Sequence, residues 1–196
     1  MNAYAKAETL AGAALAPLDW AKRAALVVAF SLLTALAAQV VIPFHPVPIT
    51  GQTFAVLLAG ALLGSRLGPL AMFAYLLEGA SGLPFFRAGN AGLFYMLGPT
   101  GGYLLAYPVA AYVVGLLAER GWDRRVLTAA AAMAVGSAVI LAGGWLWLSR
   151  FVGAEQAFAV GVARFIPGDL VKIALAAGVL PTGWALLGRR GAKRLR

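Results

Sequence analysis

The sequence predicts an all-α membrane protein with six transmembrane helices, and three observations carry that prediction. Hydrophobic residues make up 62% of the chain and charged residues only 12%, and the mean hydropathy of +0.84 lies well outside the range of soluble domains. Apolar runs able to enter a bilayer recur between residues 24 and 187, separated by turns rich in Gly, Pro and Arg. The basic residues are also unevenly divided between the two sides of those runs. Lys6, Lys22, Arg23, Arg66, Arg120, Arg124, Arg125 and the tail 189–196 fall on one side, and only Arg87, Arg150 and Arg164 on the other. The first side is expected to be cytoplasmic, which leaves both termini inside.

At 196 residues the chain fits a single integral membrane domain: an N-terminal cytoplasmic segment 1–20, a bundle 21–188 and a basic cytoplasmic tail 189–196. The segment around Lys6 lacks the order of basic, apolar and cleavage regions of a signal peptide and is expected to stay uncleaved. The net charge of +9 follows the topological pattern, so the bilayer is expected as a partner and nucleic acid is not. With no Cys and a single His45, disulfides, thiolate metal sites and His clusters are excluded.

Taken in order, Ala24 to Ile42 forms helix 1, an uncharged run preceded by Lys22 and Arg23. Ala21, Ala25 and Ala29 make a small-residue stripe that permits close helix approach, either inside the bundle or to another protein. Pro43, Pro46 and Pro48 keep the next stretch, up to Gln52, from being helical. Thr53 to Leu63 and Leu70 to Leu77 are helices 2 and 3, both shorter than the roughly 20 residues that a span requires. Short, Gly/Pro-interrupted segments of this kind point to a binding site in transporters.

Residues 79 to 102 form a Gly- and aromatic-rich loop, re-entrant or extracellular, containing Arg87, Asn90, Tyr95 and Thr100. No Gly-Lys-Ser/Thr follows its glycines, so nucleotide binding is not expected; aromatics and amides suit a flat heterocycle better. Helix 4, Tyr103 to Ala118, carries Pro108, and helix 5 runs from Val126 to Leu148. Phe158, Val162 and Phe165 suggest a short helix lying at the interface. Helix 6 starts near Gly168 and places Asp169 and Lys172 on one face at its outer end. Ionisable groups in such a span tend to pair and to face a cavity. A bare salt bridge, or Lys172 snorkelling to the headgroups, is the simpler alternative.

Four motifs resemble the BioY family, the biotin-specific substrate-binding (S) components of energy-coupling factor (ECF) transporters. They are residues 46–53 (PVPITGQT), 82–86 (GLPFF), 98–104 (GPTGGYL) and 167–172 (PGDLVK), in family order, and the likeness covers about residues 20 to 188. The chain departs from the pattern at Gly51 and at Phe86-Arg87, on the rim of the site. The resemblance implies an S-component-like bundle with short helices 2 and 3 and extracellular loops capping the ligand. It implies high-affinity biotin capture and uptake at the cytoplasmic membrane of a bacterium or archaeon. The work would come from a separate transmembrane coupling (T) subunit and ABC-type ATPases, with no cofactor and no enzymatic activity.

Asp169, Lys172 and Asn90 match the family's ligand residues, and Gln52, Tyr95 and Thr100 join them as substrate-binding positions. A ureido ring offers two N–H donors and one carbonyl, which suits a carboxylate, an ammonium and an amide. Arg87 is the nearest loop cation for the ligand's carboxylate. The Ala21, Ala25, Ala29 stripe resembles the family's contact with the T subunit. The alternatives are an S component for another vitamin or an intramembrane enzyme. The enzyme reading lacks a nucleophile with a base in reach.

Overall fold

The computed structural model describes residues 9 to 193. A short helix α1 (Leu10–Leu15) precedes α2 (Trp20–Ala38), which opens on an Asp19 cap accepting from the Lys22 amide at 2.8 Å. Helix 1 therefore starts earlier than the hydropathy predicts and ends at Ala38, before the expected Ile42. The chain after it is extended: β1 (Val41–Ile42) pairs antiparallel with β2 (Ile49–Thr50), Val41 opposite Thr50. The prolines of the intervening loop fix this small ribbon, which was not expected of an all-α chain.

Expected helices 2 and 3 form one element, α3 (Gln52–Ala80), folded at Gly64, where φ is 84°. This left-handed backbone suits Gly alone, and a Cβ there would come within 2.5 Å of the Glu119 carboxylate. The arms 52–63 and 65–80 run back along each other: Gln52 bonds to Tyr75, and a Cβ on Gly68 would lie 3.0 Å from the Gly60 Cα. The reversal takes a single residue. Glu119 makes it possible by accepting from the Ser65 amide at 2.7 Å and from the Ser65 hydroxyl at 2.9 Å, capping the second arm.

The loop to α5 (Gly101–Glu119) contains a 3-10 turn (Arg87–Gly89) and a short helix α4 (Leu93–Leu97). A second 3-10 turn (Trp122–Arg124) leads to α6 (Val126–Val152), which runs four residues past its expected end. α7 (Ala154–Phe158) and a π-helical turn (Ala159–Ala163) then pass into α8 (Ile166–Lys193), with Pro167 in its first turn. The expected interfacial face divides here: Phe158 packs edge-on against Trp145, while Phe165 turns inward and stacks on Tyr103. Lys6 and residues 194–196 lie outside the described residues.

Among the described residues, five helical segments are long and apolar enough to cross a membrane: Trp20–Ala38, Gln52–Ala80, Gly101–Glu119, Val126–Val152 and Ala154–Gly188. They form one bundle around a core that includes Val56, Leu57, Met72, Tyr75, Tyr107 and Val114. At one end Gly64, Ser65 and Glu119 meet, and Asp123 accepts from the Trp184 indole at 2.6 Å. At the other end the ribbon, the loop after α3 and the start of α8 converge on a cavity.

Candidate functional site

The cavity is lined by Val47, Pro48, Thr50, Gln52, Thr53, Arg87, Tyr95, Thr100, Tyr103, Leu104, Tyr107, Phe165 and Lys172. Each wall comes from a different element for a local reason. The ribbon and the first turn of α3 supply the polar floor, because the proline-stiffened loop ends where α3 begins. Thr100, Tyr103, Leu104 and Tyr107 recur at helical spacing along the start of α5 and form one side. Phe165 closes it by stacking on Tyr103, with ring centroids 5.7 Å apart.

Lys172 directs its ammonium at the Thr50 carbonyl (3.0 Å), the Thr53 hydroxyl (2.6 Å) and the Asp169 carboxylate (3.4 Å). All three of its donors are engaged. Asp169 is buried behind Lys172 and accepts from the Ser137 hydroxyl of α6 through its second oxygen. The pair therefore ties α8 to both α3 and α6, and of the two only Lys172 lines the cavity. The salt bridge expected as the simpler alternative is present.

Gln52 is the hub of the floor. Its carbonyl accepts from the Thr50 hydroxyl at 2.8 Å and lies 3.5 Å from the Tyr107 hydroxyl, and its amide donates to Tyr75. Tyr75 in turn donates to the Phe85 carbonyl at 3.1 Å, which ties the floor to the capping loop. Arg87 reaches the cavity from that loop, and its Nε is buried with no hydrogen-bond partner. An unpaired buried donor on a cation is costly unless an anion meets it.

Five of the seven residues expected from the sequence thus line the cavity: Gln52, Arg87, Tyr95, Thr100 and Lys172. Asp169 stands directly behind Lys172. Asn90 does not reach the cavity: it is exposed, and its amide donates to the Arg87 carbonyl at 2.6 Å. Tyr103, Tyr107, Thr53 and Ser137 were not anticipated. Helical spacing from Thr100 would have found the two tyrosines. Ser137 stands in the middle of an otherwise apolar span, a weaker signal of the same kind as an intramembrane charge. No group of three or more metal-ligating side chains occurs among the described residues.

A model of the BioY family matches residues 6–189. The chain belongs to the BioY family. Its relatives include a protein named "Probable biotin transporter BioY" from Pyrococcus horikoshii, 45% identical over 156 residues that cover 80% of this chain and 92% of the relative. The "Biotin transporter BioY" of Thermotoga maritima is 38% identical over 149 residues, covering 76% and 87%. A crystal structure of the S-component for biotin from an ECF-type ABC transporter superposes with a TM-score of 0.76 at 25% identity, covering 86% of this chain and 94% of that one. The BioY chain thus shares its architecture with a solved S-component, and its family is one of transporters.

Chemically, the cavity joins an aromatic and aliphatic wall to a polar floor and a guanidinium. Lys172, Thr53 and Gln52 suit polar amide-like edges, and Arg87 suits an anion.

Proposed function

We propose that this BioY chain captures biotin at the outer face of the cytoplasmic membrane and delivers it as the S component of an ECF-type transporter. The observation that carries the reading is the Asp169–Lys172 pair, whose Lys172 lines an aromatic cavity that Arg87 also lines. On binding, Lys172 exchanges its Asp169 acceptor for the ureido carbonyl, which frees the Asp169 oxygen behind it to accept a ureido N–H. Gln52 and Thr100 complete the polar contacts, Tyr95 packs on the ring, and Arg87 meets the valerate carboxylate. Asn90 serves the site through Arg87, whose backbone it holds.

Counting the two arms of α3 separately, the chain crosses the bilayer six times with both termini cytoplasmic. The uneven distribution of Lys and Arg supports this orientation. Ala21, Ala25 and Ala29 are exposed on α2 beside Val28, Leu32 and Leu36. That face is the one we assign to the T subunit, which passes the work of the ATPases to the chain. The bacterial or archaeal inner membrane is the corresponding location.

Retention of tritiated biotin on purified protein tests the ligand. The reading expects retention that excess biotin displaces and that riboflavin and thiamin leave untouched. Retention displaced equally by either vitamin would replace biotin as the ligand.

A further inference from the structure

The cavity measures about 30 Å³, room for little more than a water or two. Any ring-sized ligand therefore enters only when part of the lining yields. Tyr103 and Tyr107 are buried in α5, Gln52 and Thr53 are buried at the start of α3, and Lys172 is bonded to two elements. Arg87 is held differently. Its 3-10 turn packs chiefly against α2, leaves Ala88 and Gly89 exposed, and puts Ala88 at φ 52°, a region that residues other than Gly seldom adopt.

One side chain just beyond α2 also holds the turn. Gln39, the residue closing α2, accepts from the Gly89 amide at 2.9 Å and donates to the Phe86 carbonyl at 3.3 Å, with a further bond to the Ala35 carbonyl at 2.9 Å. Both flanks of the turn are thus fastened to the end of α2. Phe86 beneath is fixed: it is fully buried, stacks on Tyr95 with centroids 5.4 Å apart, and fills the space a Cβ on Gly79 would need, 2.3 Å from the ring.

We propose that Gln39 is a positioning residue that latches the Arg87 turn over the cavity, setting how often the site opens and linking its occupancy to α2. The inference rests on the reading that biotin occupies this cavity with its carboxylate toward Arg87. The ligand's anion meets the guanidinium only in the closed arrangement, so binding shifts the turn toward closure. Loss of the latch raises the open population, which speeds both escape and entry.

Dissociation of tritiated biotin from the purified full-length protein, chased with unlabelled biotin, reads the latch, and rapid filtration reads association. Gln39→Leu is expected to speed dissociation about fivefold, the scale of one neutral hydrogen bond, and to speed association too, since entry needs the same opening. In an Arg87→Ala background, where the turn no longer touches the carboxylate, Gln39→Leu should add nothing. Gln39→Glu keeps the acceptor for Gly89 and loses the donor to Phe86; it should give a smaller acceleration, and it replaces Gln39→Leu if that variant does not fold. Unchanged dissociation in the folded variant, or the same acceleration with and without Arg87, overturns the latch. Failure of the unaltered protein to retain biotin contradicts the ligand reading itself, and the latch with it.

Discussion

Asp123 shows how a single residue can be both buried and undersatisfied. One carboxylate oxygen accepts from Trp184, the other has no partner, and Arg124 lies over the Trp184 ring at 4.6 Å. Burial raises the Asp123 pKa above the ordinary carboxylate value, outweighing the Trp184 hydrogen bond and the Arg124 charge that pull it down. An acid with a raised folded pKa costs the fold stability as pH climbs from the unfolded value, about 3.9, through the higher folded value. Below the unfolded value the cost is absent. Asp123→Asn is therefore expected to melt higher than the parent at neutral pH, and the gap should close as pH falls toward 4. A thermal shift series across that range checks it; a gap independent of pH contradicts the account.

Residues that announce themselves by charge in an apolar run were legible in the sequence, which is how Asp169 and Lys172 stand out. Partners recruited across helices were not, because Ser137 and Thr53 owe their roles to packing that no local pattern encodes. Asn90 and Arg87 illustrate the same limit: both lie in one loop, and only the backbone turn decides which of them faces inward.

At the scale of elements, α3 is the informative case. Its two apolar arms were legible as short helices with a break, but the sharpness of the reversal was not, since it depends on Glu119 from α5 capping Ser65. Gly64→Ala is expected to destabilise the protein by at least about 1–2 kcal/mol, from left-handed strain and the clash with Glu119. Urea or thermal unfolding in detergent measures it, and parental stability would show that the turn tolerates a side chain. The ribbon of β1 and β2 was hidden because two-residue strands carry no periodicity.

α2 presents its small residues outward, and this bears on assembly. Ala25→Trp is expected to leave biotin binding nearly intact and to weaken association with the T subunit, because the indole blocks close backbone approach. Pull-down of that subunit by the variant at parental levels contradicts the assignment of the face.

For the whole molecule, the hydropathy and the basic asymmetry of the sequence already indicated the class of fold, because a bilayer imposes length and charge rules that single segments obey. The cavity end and the Glu119 end lie at opposite ends of the bundle, so orientation decides from which side ligand enters. Single cysteines introduced at positions 87 and 122 should react with an impermeant thiol reagent from outside and from the cytoplasm respectively. Labelling in the reverse sense would invert the topology.

The most direct measurement is isothermal titration of biotin against the parent, Asp169→Asn, Lys172→Ala and the double variant, each shown to elute as folded protein. Losing one charge-assisted hydrogen bond costs about 1.5–3 kcal/mol, or roughly tenfold to more than a hundredfold in affinity. The account predicts a loss of that size in each single variant. It also predicts a double variant whose loss falls short of their sum, since the two side chains share one ligand and each other. Parental affinity in folded Asp169→Asn and Lys172→Ala would show that the pair only fastens α8 to α3 and α6, and would contradict the site.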